Sequence, residues 1–181
     1  MKAAIIGFLA LAGASTASAQ GVVPPTFNPR APENSQVLGS FNYGSVEAVL
    51  NGIGAKHQRA GEAGKPALLV SFPNNRKAVL MFGSCNADGS ACKALSIQSY
   101  WTKIANAPPE RAAAAIADFN RRYSFAKAFI AEDGRPALQR YLTADYGFLR
   151  GNLAVNLLVF ANQAERFARD VLAPLEAKGS S

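Results

Sequence analysis

Few side chains in this sequence are equipped for chemistry. Cys85 and Cys92 are its two cysteines and His57 is its one histidine. Two thiols with six residues between them suit half of a metal site, a redox couple or a covalent staple. A structural zinc would need two more ligands, and His57 is the one other nitrogen or sulfur donor of the usual kind. Redox pairs commonly use a Cys-x-x-Cys spacing ahead of a helix, whose terminus lowers a thiol pKa. The stretch "GSCNADGSACKAL", residues 83–95, has neither feature. A disulfide is the leading reading.

The remaining candidates point away from catalysis. His57 lies among Lys56, Gln58 and Arg59 in "KHQRA" and reads as a solvated side chain on an edge strand. A Ser-His-Asp or Cys-His arrangement would have to use it, and no serine sits in a nucleophile-elbow context. "GEAGK", residues 61–65, lacks both the spacing of a phosphate loop and the Ser or Thr that follows one. Glu132 and Asp133 are adjacent on a hairpin tip, where neighbouring carboxylates diverge. No catalytic set, metal site or cofactor is expected.

The elements that would position these residues follow from periodicity. "YGSVEAVLNGIGA" places Val46, Val49, Leu50 and Ile53 on one helical face, with Ser45 as the expected N-cap and Gly54 as the stop. "ALLVSF" is a strand ending at a turn on Asn74-Asn75, and "KAVLMFGSC" and "CKALSIQSYW" are two further strands flanking the cysteines. "KHQRA" is a fourth. Pro108 and Pro109 suit the first turn of a second helix, with Ala112, Ala113, Ile116 and Phe119 inward. "YSFAKAFI" and "PALQRYL" form a hairpin about Asp133-Gly134. From Arg150 to Lys178, Leu153, Leu157, Phe160, Ala164, Phe167, Val171 and Leu175 recur every three or four residues, and Pro174 should fray or kink the end. Runs of strands separated by helices predict an α+β fold: an antiparallel sheet with helices packed on one side.

Register tests the cysteine reading. If Cys85 faces Cys92, then Phe82 opposes Leu95, Leu80 opposes Ile97 and Ala78 opposes Ser99. The four large apolar residues then share one face. The cysteines, Met81, Ala94, Ser96 and Gln98 take the other. A one-residue slip would break this agreement. In the simplest Asp133-Gly134 hairpin, Lys127 opposes Arg140, an unfavourable like-charge pair. Either the turn is longer and shifts the register, which is preferred, or both cations sit on a rim as a candidate anion-binding pair.

The N-terminus predicts export. "MKAAIIGFLALAGASTASAQ" has a lone lysine, an apolar run and a small-x-small site, giving a signal peptide over 1–19 cut between Ala19 and Gln20. The apolar run is shorter than the roughly 20 residues a membrane span needs. Residues 20–40 carry four prolines and read as a flexible linker; the folded domain is expected over 41–178, with a disordered tail at 179–181. An exported, oxidising compartment, periplasmic or secreted, suits the disulfide. The formal charge is +7, and loss of Lys2 with the leader lowers it to +6. The basic residues are scattered, which argues against nucleic acid and for a mildly basic solvated surface.

The segment "FNRRYSFAKAFIAEDGRPALQRYL", preceded by "FGSCNADGSACKALSIQ", resembles the YbjN family, whose members are called sensory transduction regulators. The likeness lies in Asn120 at the end of the second helix, the "SFAKAF" strand and the Glu132 to Pro136 hairpin, and it extends over roughly Phe41 to Leu172. Exported members also carry a cysteine pair in the middle hairpin. The segment "TADYGFLRGN" departs from the glycine-rich turn of many relatives. The resemblance implies a type III secretion chaperone-like fold, with a homodimer or another envelope protein as partner. It brings no established enzyme activity and no list of site residues. The expected function is a non-enzymatic protein-binding or regulatory module. A cell-envelope binder of a small ligand or anionic surface is the alternative.

Overall fold

The computed structural model describes residues 27–177. The expected leader, its cleavage site and the tail lie outside that range. A six-stranded, wholly antiparallel sheet is built from β2 (Lys56–Glu62), β3 (Lys65–Ser71), β4 (Lys77–Gly83), β5 (Ala94–Tyr100), β6 (Lys127–Ile130) and β7 (Pro136–Thr143), in spatial order β2-β3-β4-β5-β7-β6. A short ribbon pairs β1 (Val37–Leu38) with β8 (Phe148–Leu149). The helices are α1 (Tyr43–Gly52), α2 (Pro109–Arg122), α3 (Arg150–Phe167) and α4 (Ala173–Glu176). This is the α+β class that the run of strands predicts.

One face of the sheet is buried. Leu68 and Val70, Ala78, Leu80 and Phe82, and Leu95 and Ile97 alternate inward along β3, β4 and β5, as period-2 facing requires. They join Val46, Leu50, Ile116, Phe119, Leu157, Phe160 and Phe167 of the helices in one core. Ala113, expected inward, is exposed. All seven predicted apolar positions from Leu153 to Leu175 are buried.

The helix boundaries correct two expectations. Asn42, not Ser45, caps α1: Asn42 Oδ1 accepts from Ser45 N–H at 2.9 Å and Ser45 Oγ accepts from Asn42 N–H at 3.1 Å, a reciprocal box satisfying two otherwise orphaned donors. At the other end, Pro174 does not fray the chain. Residues Ala168–Leu172 widen into a π-turn and α4 continues with the proline in its first turn, where no amide hydrogen is required.

The expected linker is also partly ordered. From Phe27 the chain turns at Asn28, forms a 3₁₀ turn at Pro32–Ser35 and enters β1, where Val37 pairs with Leu149 and Leu38 with Phe148. The Gln36 carbonyl accepts from Arg150 N–H at 2.9 Å. Prolines suppress regular structure but not docking, and Phe27 packs against the core.

The two edges of the sheet are protected in different ways. Asn120 at the end of α2 donates from Nδ2 to the Ala128 carbonyl (2.9 Å) and accepts on Oδ1 from Ala128 N–H (2.8 Å). Its side-chain amide thus imitates a neighbouring strand along β6. Asn120→Ala leaves the backbone groups of a fully buried residue unpaired, and a loss of about 2 kcal/mol is expected in urea titration. At β2, Gly61 has φ +91, and a Cβ there would lie 2.2 Å from the Lys65 carbonyl oxygen. The Tyr43 hydroxyl bridges the gap, donating to Ala60 O (2.9 Å) and accepting from Ala67 N–H (3.2 Å). With Gly61 at positive φ and the cations Lys56 and Arg59 along it, this edge resists further strand pairing.

The β3–β4 turn is pinned to α3. Asn74 Nδ2 donates to Ala161 O at 2.9 Å, and Arg76 Nε meets Glu165 Oε2 at 2.6 Å. The Arg76 hydrogen bond holds the Glu165 carboxyl below the ordinary glutamate value of 4.5. A carboxylate whose folded pKa is depressed stabilises the fold above its unfolded pKa and stops doing so as pH falls through the folded one. Both side chains are partly solvated, so Glu165→Gln should cost about 0.5 kcal/mol at pH 7. The difference from the unaltered protein should shrink as pH falls and vanish once the carboxyl is protonated in the folded state too, as measured by urea titration across an acidic pH series.

Candidate functional site

The sheet face opposite the helices is the place where the molecule presents an organised surface. Strand pairing sets its side chains in rows. Lys56, Ser71 and Lys77 form the first, in line with Tyr100, Ala137 and Phe129. Gln58, Leu69, Val79, Gln98, Gln139 and Lys127 form the second, and Ala60, Ala67, Met81, Ser96 and Tyr141 the third. Leu69 is 46% exposed, Met81 37%, Tyr100 38% and Tyr141 57%. Large apolar groups so exposed on one continuous sheet face mark a contact surface.

The polar groups between them are held in place. Ser96 Oγ accepts from the Nε2 atoms of both Gln98 and Gln139 at 3.0 Å, and the Tyr100 hydroxyl donates to Gln98 Oε1. The Arg135 guanidinium stacks 4.7 Å from the Tyr100 ring centroid while its Nε meets Asp133 Oδ2 at 2.7 Å. The hydrogen bond from the Arg135 backbone N–H, followed by that side-chain pairing, keeps the Asp133 carboxyl below its usual range. A hollow of about 540 Å³ lies over the first two rows, floored by Leu69 and Val79.

The residues singled out by type are not assembled here. Lys127 and Arg140 lie on opposite faces. Residues Ala131–Arg135 form a longer turn, with Ala131 N–H bonded to Arg135 O and Gly134 N–H to Ala131 O, both 2.8 Å. The register therefore shifts by one and Lys127 opposes Gln139. This is the preferred of the two alternatives, and it removes the like-charge pair. Lys127 is exposed on the open face. Arg140 faces the helices, stacked 4.3 Å from the Phe125 ring centroid and donating to Phe125 O at 2.7 Å and Asn156 Oδ1 at 3.3 Å.

Cys85 and Cys92 form a disulfide. The predicted register holds, with Leu80 opposite Ile97 and Phe82 opposite Leu95. The placing of the cysteines on the more polar face does not. Ser84 and Ala91 both take φ +49, which turns the chain beyond the last ladder pair. Cys92 is carried into the core, exchanging backbone hydrogen bonds with Phe41 at 2.8 and 3.2 Å. His57 is half-buried, its Nε2 3.0 Å from Asn51 Oδ1.

Among the described residues, no group of three or more His, Cys, Asp or Glu could hold a metal ion, and no helix is long and apolar enough to cross a membrane. The exposed face is only half legible in the sequence. "ALLV" hides its alternation in a continuous apolar run, so nothing local marks Leu69, whereas register puts Met81, Ser96 and Gln98 on the more polar side.

Comparison with curated proteins finds no match. A family model does match, over residues 42–173, and its description is "Putative bacterial sensory transduction regulator". That span takes in α1, all six strands of the sheet, α2 and α3, so the chain belongs to the YbjN family.

Proposed function

We propose that this chain is a non-enzymatic, exported regulatory module that binds a protein partner through the open face of its sheet. The observation that carries the reading is the exposed apolar surface of Leu69, Met81 and Tyr141 on a face that no helix of the described chain covers. The family description agrees with a regulatory role. Residues 1–19 direct export, and the disulfide suits an oxidising envelope compartment. The partner is another envelope protein or a second copy of the chain. The alternative, an anionic-ligand site built on Lys127 and Arg140, is not favoured by their separation onto two faces.

The test compares partner capture by the mature protein with capture by Leu69→Glu/Tyr141→Glu, using periplasmic extract and size-exclusion mass measurement. Val155→Glu, at an exposed apolar position on α3, is the control. The expected result is a defined complex, or a dimer, lost in the sheet variant and kept in the control. A monomer without a partner, or equal capture by all three proteins, overturns the reading.

A further inference from the structure

The open face carries an uneven charge pattern around its apolar centre. Beyond the third row, Glu62 pairs with Lys65 and begins a fourth; Lys56, Lys65, Lys77 and Lys127 project from the face, against Glu62 as the one acidic residue of these four rows. None of these lysines has an ion pair within the described chain. Arg135 adds a cation at the same end, partly offset by Asp133. Two of the lysines flank the hollow. Lys56 and Lys77 both pair with Ser71, from either side, which sets them roughly 10 Å apart, two strand spacings. Leu69 and Val79 lie in the next row, beside them.

From this arrangement we infer that the partner is an acidic amphipathic protein segment, laying apolar side chains on Leu69 and Val79 and carboxylates at Lys56 and Lys77. The inference rests on the docking reading above and gives the partner its chemistry. A second copy of the same face does not fit. Two such faces would bring lysine against lysine around the apolar centre, and like charges brought together at an interface are strongly disfavoured. Extension of the sheet through its edges is disfavoured as well: Asn120 pairs with the backbone of β6, and β2 has Gly61 at positive φ and bears Lys56 and Arg59. What stays open is the face itself. Apolar contact supplies affinity there, while the lysines select the sign of the partner and speed encounter.

The test uses labelled 12-residue peptides alternating glutamate with valine, lysine with valine, and glutamate with serine, titrated into the mature protein and read by fluorescence anisotropy. Binding should be tightest for glutamate–valine, at least tenfold weaker for glutamate–serine and absent for lysine–valine. Raising salt from 50 to 500 mM should weaken it at least tenfold, because exposed charges are screened. Lys56→Glu/Lys77→Glu should also weaken it tenfold or more. Arg111→Glu/Arg121→Glu on α2, the same change in net charge, should leave it unchanged. Equal binding of both valine peptides, or indifference to Lys56→Glu/Lys77→Glu, overturns the inference. So does lysine-dependent binding to phosphatidylglycerol vesicles without peptide binding, which would assign the face to a membrane surface. If Leu69→Glu/Tyr141→Glu abolishes partner capture but Lys56→Glu/Lys77→Glu does not, the docking reading stands and the acidic partner falls.

Discussion

Phe167→Ala is expected to lower the unfolding free energy by about 4 kcal/mol, the largest effect of any single substitution considered. The side chain is fully buried at the end of α3. Its ring packs edge-on against Trp101 at 5.1 Å between centroids and against Phe119 of α2 at 5.0 Å. Truncation removes a large buried surface and opens a cavity. It also breaks two aromatic pairs, each worth about 0.5–1.5 kcal/mol beyond area. Neither neighbour can follow into the space: Phe119 is itself fully buried and Trp101 is held by its backbone bond to Pro136 O at 3.0 Å. Guanidinium titration should show a lower midpoint with an unchanged slope. A loss below about 1.5 kcal/mol would mean that α2 collapses onto the sheet and that this junction is plastic.

The second large effect concerns the disulfide. Closing a ring of about eight residues restricts the unfolded chain by roughly 2.5 kcal/mol at 25 °C. Reduction, or Cys85→Ala/Cys92→Ala, should remove that amount and lower Tm by roughly 5–10 °C for a domain of this size. Alanine is the apt replacement because Cys92 is fully buried, and a serine hydroxyl there would need a partner. The consequence reaches beyond the loop. Cys92 holds Phe41 by two backbone hydrogen bonds, and Phe41 is a fully buried core residue at the entry to α1. Hydrogen exchange should therefore speed up at Phe41 and at the start of α1. Mass spectrometry of the mature protein should find no free thiol; alkylation of both cysteines without reductant would refute the staple.

These two sites differ in how readable they were. The Cys85–Cys92 pairing followed from facing: one register gathers Leu80, Phe82, Leu95 and Ile97, and its neighbours scatter them. Where Cys92 points did not follow, because Ser84 and Ala91 leave the strand conformation and no local residue type announces a positive φ at either. Phe167 was legible as one turn of an apolar stripe, while its partners Trp101 and Phe119 come from distant segments. The open face shows the same division. Met81, Ser96 and Gln98 were assigned to it by alternation, yet whether a helix would cover them is not written in the strands.

Residue pattern suffices for the α+β class, the strands of the meander, most inward positions of the helices, with Ala113 the exception, the β4–β5 register and the family. All of these rest on periodicity and turn chemistry within a few tens of residues, where side-chain facing repeats every 2 or 3.6 positions and errors are self-penalising. Contacts between distant segments set the rest: β5 pairs with β7 rather than with β6, Asn120 closes an edge, residues 27–40 dock on the fold, and Lys127 and Arg140 part to opposite faces. Those outcomes depend on which distant segments compete for the same surface. Local pattern says which side of a strand is apolar; packing between segments decides which side meets solvent, and so where Leu69, Lys56 and Lys77 stand ready for a partner.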